Sequence, residues 1–327
     1  MKSKVLLIGL MLGLAVGFVG SICAEPVEAG FGKIKLTGLM QIWYQNDNGA
    51  TPFDTFRLRR AEIKLSGEIK PDVSWAVMID PAQQREDLTR KSPLQDFVIT
   101  LKPRKECSID FGQYKTPFGM EGLESSAKLD FIERSALASQ FKWTDYRDVG
   151  FTVKGDHKLN DVKIQPTIGV FNGKGQNNLD ENNPMDIALR LVVKPIESLH
   201  LGVANYNGKT GATETSNFRT GVEAKFVKDP GSIYGEYATG KSSGKDKNTY
   251  YATAAYKFLK SYQAALRYDY LDPDTDTKDD AKTETTAGLN YFIENQNAKV
   301  QLNYVVRGEE GTSLDDDVVR INLQISY

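Results

Sequence analysis

Apolar residues recur at every second position along most of this chain, and the period persists to its last residue. Near the start, Ile34, Leu36, Met40, Ile42 and Tyr44 share one parity, while Lys33, Lys35, Thr37 and Gln41 share the other. At the end, Val319, Ile321, Leu323, Ile325 and Tyr327 alternate with Arg320, Asn322, Gln324 and Ser326. Successive side chains of a strand point to opposite faces, so this is a strand pattern. It predicts sixteen strands, at 33–45, 55–70, 73–80, 95–102, 106–114, 145–156, 162–172, 184–194, 198–207, 217–228, 231–239, 248–258, 261–271, 283–293, 297–307 and 317–327. Helical spacing competes only within 120–140. The chain reads as one all-β domain without linkers.

Soluble sandwiches alternate too, but two features point to a membrane. Lys70-Pro71-Asp72, Pro103-Arg104-Lys105, Pro195-Ile196-Glu197 and Asp229-Pro230 are tight turns, and the connections between them (46–54, 81–94, 173–183, 271–282, 308–316) are longer and polar. Aromatic residues recur at strand ends, namely Tyr44, Tyr206, Tyr237, Tyr250, Phe258, Tyr270, Tyr304 and Tyr327. Short turns at one rim, long loops at the other and interfacial aromatic girdles are the outer-membrane barrel arrangement. In hydrocarbon every backbone N–H and C=O needs an internal partner, which a closed sheet supplies and an open edge does not. The expectation is a 16-stranded antiparallel transmembrane β-barrel with short periplasmic turns and longer extracellular loops. At that strand number the interior is too wide for side chains to fill, which leaves an aqueous channel for small polar solutes. The competing reading is a structural anchor, or a sleeve around a surface or electron-transfer partner. An adhesive anchor would carry very long or repetitive loops, and the longer loops here are moderate.

Composition narrows the picture. Lys2 and Lys4 precede an apolar run over Val5–Val19, with Gly20, Ser21 and Ala24 after it, so residues 1–24 read as a secretory signal peptide and 25–327 as the barrel. Cys23 is not read as a lipidation site, because Ile22 is large where a small residue normally precedes such a cysteine. Cys107 is then the one cysteine of the mature chain, which excludes an intramolecular disulfide. Beyond the leader no run of eighteen apolar residues exists. The mean hydropathy of −0.42 is compatible with a barrel, whose strands present only alternate residues to lipid. A formal charge of −2, made more negative by losing two leader lysines, argues against nucleic acid as a partner. His157 and His200 adjoin no nucleophile motif, so no enzyme is expected. No cofactor is expected either. The acidic runs Asp272–Asp280 and Asp315–Asp317 offer oxygen ligands for Ca²⁺ but read as solvated loop tips.

Charges occupy the parity opposite the apolar residues. Phe56 and Leu58 share one parity and Ala61, Ile63 and Leu65 the other, so the phase flips at Arg59-Arg60. A bulge there would let both arginines lean into the lumen beside Arg57 and Lys64, and a strand that starts at Arg60 would explain the flip equally well. The connection 115–144 is the longest in the chain, and Phe118, Leu123, Phe131 and Ile132 would be odd in a solvated loop. Folded inward, this third long loop would bury them against the wall and narrow the pore.

The segments Phe111-Gly-Gln-Tyr-Lys-Thr-Pro-Phe-Gly-Met-Glu121, Phe131-Ile-Glu-Arg-Ser135, Tyr146-Arg-Asp-Val-Gly150 and Phe56-Arg-Leu-Arg-Arg-Ala61 together resemble the phosphate-selective porin O and P family over the whole mature chain. The resemblance implies a homotrimeric outer-membrane porin of a Gram-negative bacterium, delivered by the barrel assembly machinery, with Arg59, Arg60, Lys115 and Arg134 along an anion path. Pro117, Phe118, Glu121, Phe131 and Glu133 belong to its constriction loop, and the aromatic C-terminal Tyr327 resembles the assembly signal of such barrels. The loop also carries Glu121, Glu124, Asp130 and Glu133 against Lys115, Lys128, Arg134 and Lys142. That near-neutral balance predicts a mild anion preference rather than strict phosphate selection.

Overall fold

The computed structural model describes residues 27–29, 32–49, 53–82, 92–141, 143–310 and 316–327. The signal peptide expected at 1–24, Lys142 and Asp315 lie outside them. Sixteen antiparallel strands among the described residues form the wall: β1 (Gly32–Asp47), β2 (Phe53–Lys70), β3 (Val73–Ile79), β4 (Leu94–Arg104), β5 (Cys107–Lys115), β6 (Arg147–Gly155), β7 (Val162–Phe171), β8 (Asp186–Ile196), β9 (Leu199–Thr210), β10 (Thr215–Lys228), β11 (Gly231–Ser242), β12 (Lys245–Phe258), β13 (Tyr262–Asp272), β14 (Lys282–Glu294), β15 (Ala298–Glu309) and β16 (Val318–Ser326). Each pairs with its chain neighbour, and β16 pairs with β1 from Val318↔Asp47 to Ser326↔Leu39, which closes the barrel. Two three-residue segments, Val27–Ala29 and His157–Leu159, pair with the starts of β1 and β7.

The molecule is inside out relative to a soluble protein. Leu36, Met40, Ile42, Leu58, Phe97, Ile99, Ile187, Leu189, Leu201, Leu266, Leu289 and Leu323 all lie exposed on the outer wall. Gln41, Arg60, Arg219, Arg267, Asn290, Gln301, Asn322 and Gln324 are buried on the inner one. Water-soluble surfaces carry such apolar residues singly, not as a belt around the whole circumference. Tyr237, Tyr250, Tyr268 and Tyr304 are exposed with the belt. Tyr206 departs from the expected girdle: it faces inward and is fully buried, because its parity on β9 is that of His200 and not that of Leu201.

The expected strict alternation of connection lengths also fails at two places. β9–β10 and β11–β12 close on the long-loop side through turns as tight as those opposite, Gly211–Glu214 and Ser243–Gly244. Their strands continue pairing to Thr210↔Thr215 and Ser242↔Lys245, where polar residues on both faces allow two-stranded ribbons to stand in water.

Candidate functional site

The wall of the candidate site is built by β16, β1 and β2. The pairing of β1 with β2 slips between Gln41 and Ile42: Gln41 faces Arg60 and Ile42 faces Leu58, which leaves Arg59 as the extra residue of a bulge. The slip reconciles an outward set of Phe56 and Leu58 with an outward set of Ile63 and Leu65, since one inserted residue reverses the faces of the rest. Leu58 is 54 % exposed to the outside and Arg60 is 5 % exposed inside. The Ala61 N–H next to the bulge donates to the Asp80 carboxylate at 2.9 Å.

Arginines therefore gather on the inner face. Arg57 and Arg59 lie over the Trp43 ring at 4.7 and 5.1 Å from its centroid. Arg60 donates to Gln41 Oε1 at 2.6 Å and lies 3.5 Å from Glu62, and Arg320 donates to Gln45 Oε1 at 3.2 Å on the neighbouring strands. Cation–π stacking and amide acceptors help to fix the orientation of these guanidinium planes. Lys64 faces the lumen nearer the short-turn rim of β2.

Opposite them stands the connection between β5 and β6. It carries two one-turn helices, α1 (Met120–Leu123) and α2 (Ala136–Ser139), and folds into the lumen. Its backbone is docked by wall side chains. Glu236 accepts from the N–H groups of Met120 and Glu121 at 2.8 and 2.7 Å, and Asp269 accepts from Ala136 N at 2.9 Å. Asn303 accepts from Ile132 N at 2.8 Å, and Lys299 donates to Leu129 O at 2.8 Å. A chain of amides crosses the wall beneath it, Asn322 to Gln301 to Asn290 to Gln263, ending on the Asp130 carboxylate. Phe118 packs with Tyr114, Leu137, Trp143 and Tyr206, beside the equally buried Pro117, and Phe131 packs on Ala255 and Ala265.

The loop's charges are unequally placed. Glu121 is buried, accepting from Ser135 N and Oγ at 2.8 and 2.6 Å and lying 3.4 Å from Arg267. Arg134 is 2 % exposed, donates to the carbonyls of Glu121 and Glu124, and lies 3.2 Å from Asp145. Lys115 donates to Gly122 O at 2.6 Å and lies 2.7 Å from Asp145. Burial alone would raise the Asp145 carboxyl, and the charges of Lys115, Arg134 and Arg147 overcome this to hold it far below the usual range. Glu133 instead faces the arginine wall, 3.6 Å from Arg59. Burial opposes its charge, yet Arg59, Arg320, Arg60 and Arg57 together hold the Glu133 carboxyl below its ordinary value.

The family profile of phosphate-selective porin O and P matches residues 34–257 and 209–327, which together take in the whole barrel. The chain belongs to this porin family. It is an outer-membrane channel. Among solved structures, the porin is similar to the anion-selective porin from Comamonas acidovorans, at 11% identity and TM-score 0.70 over 90% of this chain and 99% of that one. It is also similar to the outer membrane channel DcaP of Acinetobacter baumannii, at 12% identity and TM-score 0.68 over 93% and 100% of the two chains. A third likeness is to the trimer form of OmpT from Vibrio cholerae, at 12% identity and TM-score 0.63 over 90% and 99%. A sequence search of curated proteins gives no match.

The porin's structure brings Arg57, Arg59, Arg60 and Glu133 together. It assigns Lys115 and Arg134 elsewhere: their donors are spent on loop carbonyls and Asp145, because a turn of loop backbone wraps over both side chains. Trp43, Asp145 and the amide chain were missed. Trp43 shares the parity of Gln41, so an aromatic on a polar face was the available signal. For Asp145, whose role depends on a fold-back of the loop, there was none. Among the described residues no group of three or more His, Cys, Asp or Glu is placed to hold a metal ion.

Proposed function

We propose that this porin passes small anions, inorganic phosphate among them, with a mild preference over cations, and that it does so as a homotrimer. The observation that carries the reading is the set Arg57, Arg59, Arg60 and Arg320 lining one stretch of wall, met among the described residues by the loop carboxylate Glu133 and the wall carboxylate Glu62. Guanidinium groups in a narrow channel attract anions and offer charge-assisted hydrogen bonds, and their forks suit an oxyanion. Several modest sites in sequence pass an ion faster than one strong site. The family description and the Comamonas neighbour support anions, and the trimeric OmpT neighbour supports the oligomer. Export through a signal peptide at 1–24, and recognition of Tyr327 by the barrel assembly machinery, complete the reading.

The test is the reversal potential of the purified protein in a planar bilayer under a KCl gradient. Anion preference is expected, and the double substitution Arg59→Gln/Arg60→Gln should abolish it. Cation preference in the wild type, or a double variant that leaves the potential unmoved, overturns the assignment.

A further inference from the structure

We propose that Glu133 is a built-in counter-anion: a carboxylate tethered in the arginine site that permeating anions must share, and that sets how strongly the channel prefers them. This rests on the anion path proposed above and adds the residue that tunes it.

Three observations carry it. The first is the local arrangement. The bulge turns Arg59 and Arg60 inward together, Arg57 and Arg59 are held on Trp43, and Arg320 joins them from β16. Two carboxylates meet this group among the described residues, Glu62 of the wall at 3.5 Å from Arg60 and Glu133 at 3.6 Å from Arg59, and Glu133 is the one carried by the loop. The second is how that carboxylate is positioned. The backbone at Glu133 is tied to the wall by two bonds that do not use its side chain, Ile132 N to Asn303 at 2.8 Å and Arg267 to Glu133 O at 3.1 Å, while the carboxylate accepts one long bond from Arg134 N at 3.4 Å. The acid is thus presented to the arginines by a loop whose docking bonds to the wall run mainly through other groups. The third is exposure. Glu133 keeps 23% of its side-chain surface and Arg59 16%, whereas Glu121 on the same loop keeps 5% and Arg134 2%. Glu133 borders the aqueous path, where the other two are sealed.

A tethered group competes at a high effective concentration that bulk solute must match. Chloride contributes one charge and no fork-matching oxygens, so it displaces the carboxylate poorly. A tetrahedral oxyanion of higher charge offers several acceptors to the same guanidinium forks and competes better. Glu133 therefore lowers the apparent affinity of every permeating anion, and the arginine forks it occupies decide which anion is held best.

The experiment compares wild type, Glu133→Gln and Arg59→Gln/Arg60→Gln in planar bilayers. Reversal potentials in KCl and the block of chloride current by added inorganic phosphate are both read. Removing one unit charge a few ångströms from the path in a water-like medium should raise the anion-to-cation permeability ratio of Glu133→Gln about fourfold. Half-block by phosphate should occur at a concentration lower by a similar factor. Glu133→Asp, which withdraws the carboxylate by one methylene, should fall between wild type and Glu133→Gln, and serves if the Gln variant fails to assemble. A Glu133→Gln ratio equal to wild type overturns the proposal, with the anion path intact so long as the arginine double variant loses its preference. If Glu133→Gln raises anion and cation conductance together at an unchanged ratio, the loop has merely loosened and the proposal is again overturned. If the arginine double variant also leaves the ratio unmoved, the anion path itself fails.

Discussion

Arg59 and Arg60 both point into the lumen only because β2 gains a residue there; in unbroken alternation they would take opposite faces, and one would meet lipid. A guanidinium at the bilayer midplane of a barrel costs about 2–4 kcal/mol, so the bulge is what makes the pair tolerable. Glu133 supplies the pH test at this scale. Its carboxyl is held below its ordinary value of 4.5, so its charge is present throughout neutral pH and is lost only as pH falls through that lower value. The difference in reversal potential between wild type and Glu133→Gln should therefore stay constant from about pH 8 to about pH 5 and close only under more acid conditions. A gap that closes near neutrality would place the effect on another group. The residues behind this site were partly legible: the phase flip named the two arginines, but nothing local to Trp43 or Arg320 said that they would meet Glu133.

The inward loop is the element that turns a wide barrel into a filter, and it is held by its own charges as much as by the wall. Asp145 collects Lys115, Arg134 and Arg147, at 2.7, 3.2 and 3.8 Å. Removing one partner of a buried pair strands the other, at a cost of about 3–5 kcal/mol. Arg134→Leu should therefore free the loop while leaving the wall folded. Single-channel conductance is expected to rise and anion preference to fall, with the protein still migrating as a folded barrel in unheated detergent gels. A variant with unchanged conductance would mean that the wall contacts alone hold the loop. Gly122 marks the tightest fold-back, since a Cβ there would overlap the Thr144 hydroxyl. Gly122→Ala should loosen the loop in the same direction, read by the same conductance measurement. The formal charge count of the loop misjudged its field. Glu121, Asp130, Lys115 and Arg134 are engaged by neighbours, which leaves Glu133 as the acid that faces the arginines.

At the scale of the molecule, closure places both strand ends of the seam on one rim. Gly38 and Tyr327 exchange backbone hydrogen bonds at 2.9 and 3.2 Å, and the Tyr327 ring covers the outward face of Gly38, where a side chain would collide with it. Deleting Tyr327 should lower the amount of protein reaching the outer membrane, measured by quantifying the folded form in membrane fractions. Normal levels would remove the residue from assembly. Cross-linking in mild detergent should give a trimer, and a monomer alone would dismiss that state.

Strand number, faces, loop order and membrane location were all legible in the chain, because a period of two is local: each residue's face follows from its neighbours, and lipid or lumen water rewards the same alternation in every strand. The girdle assignment failed for Tyr206, an aromatic whose parity turns it inward, and the alternation of connection lengths failed at the two ribbon hairpins, where no lipid selects a face. What the charges do was decided only by the tertiary structure. Whether an arginine meets water, a carbonyl or a carboxylate depends on a loop crossing the lumen to strands more than a hundred residues away, as Asp130 does to reach Gln263 and Asn290. Electrostatic partnership acts through space over a few ångströms, and sequence spacing carries no record of those distances.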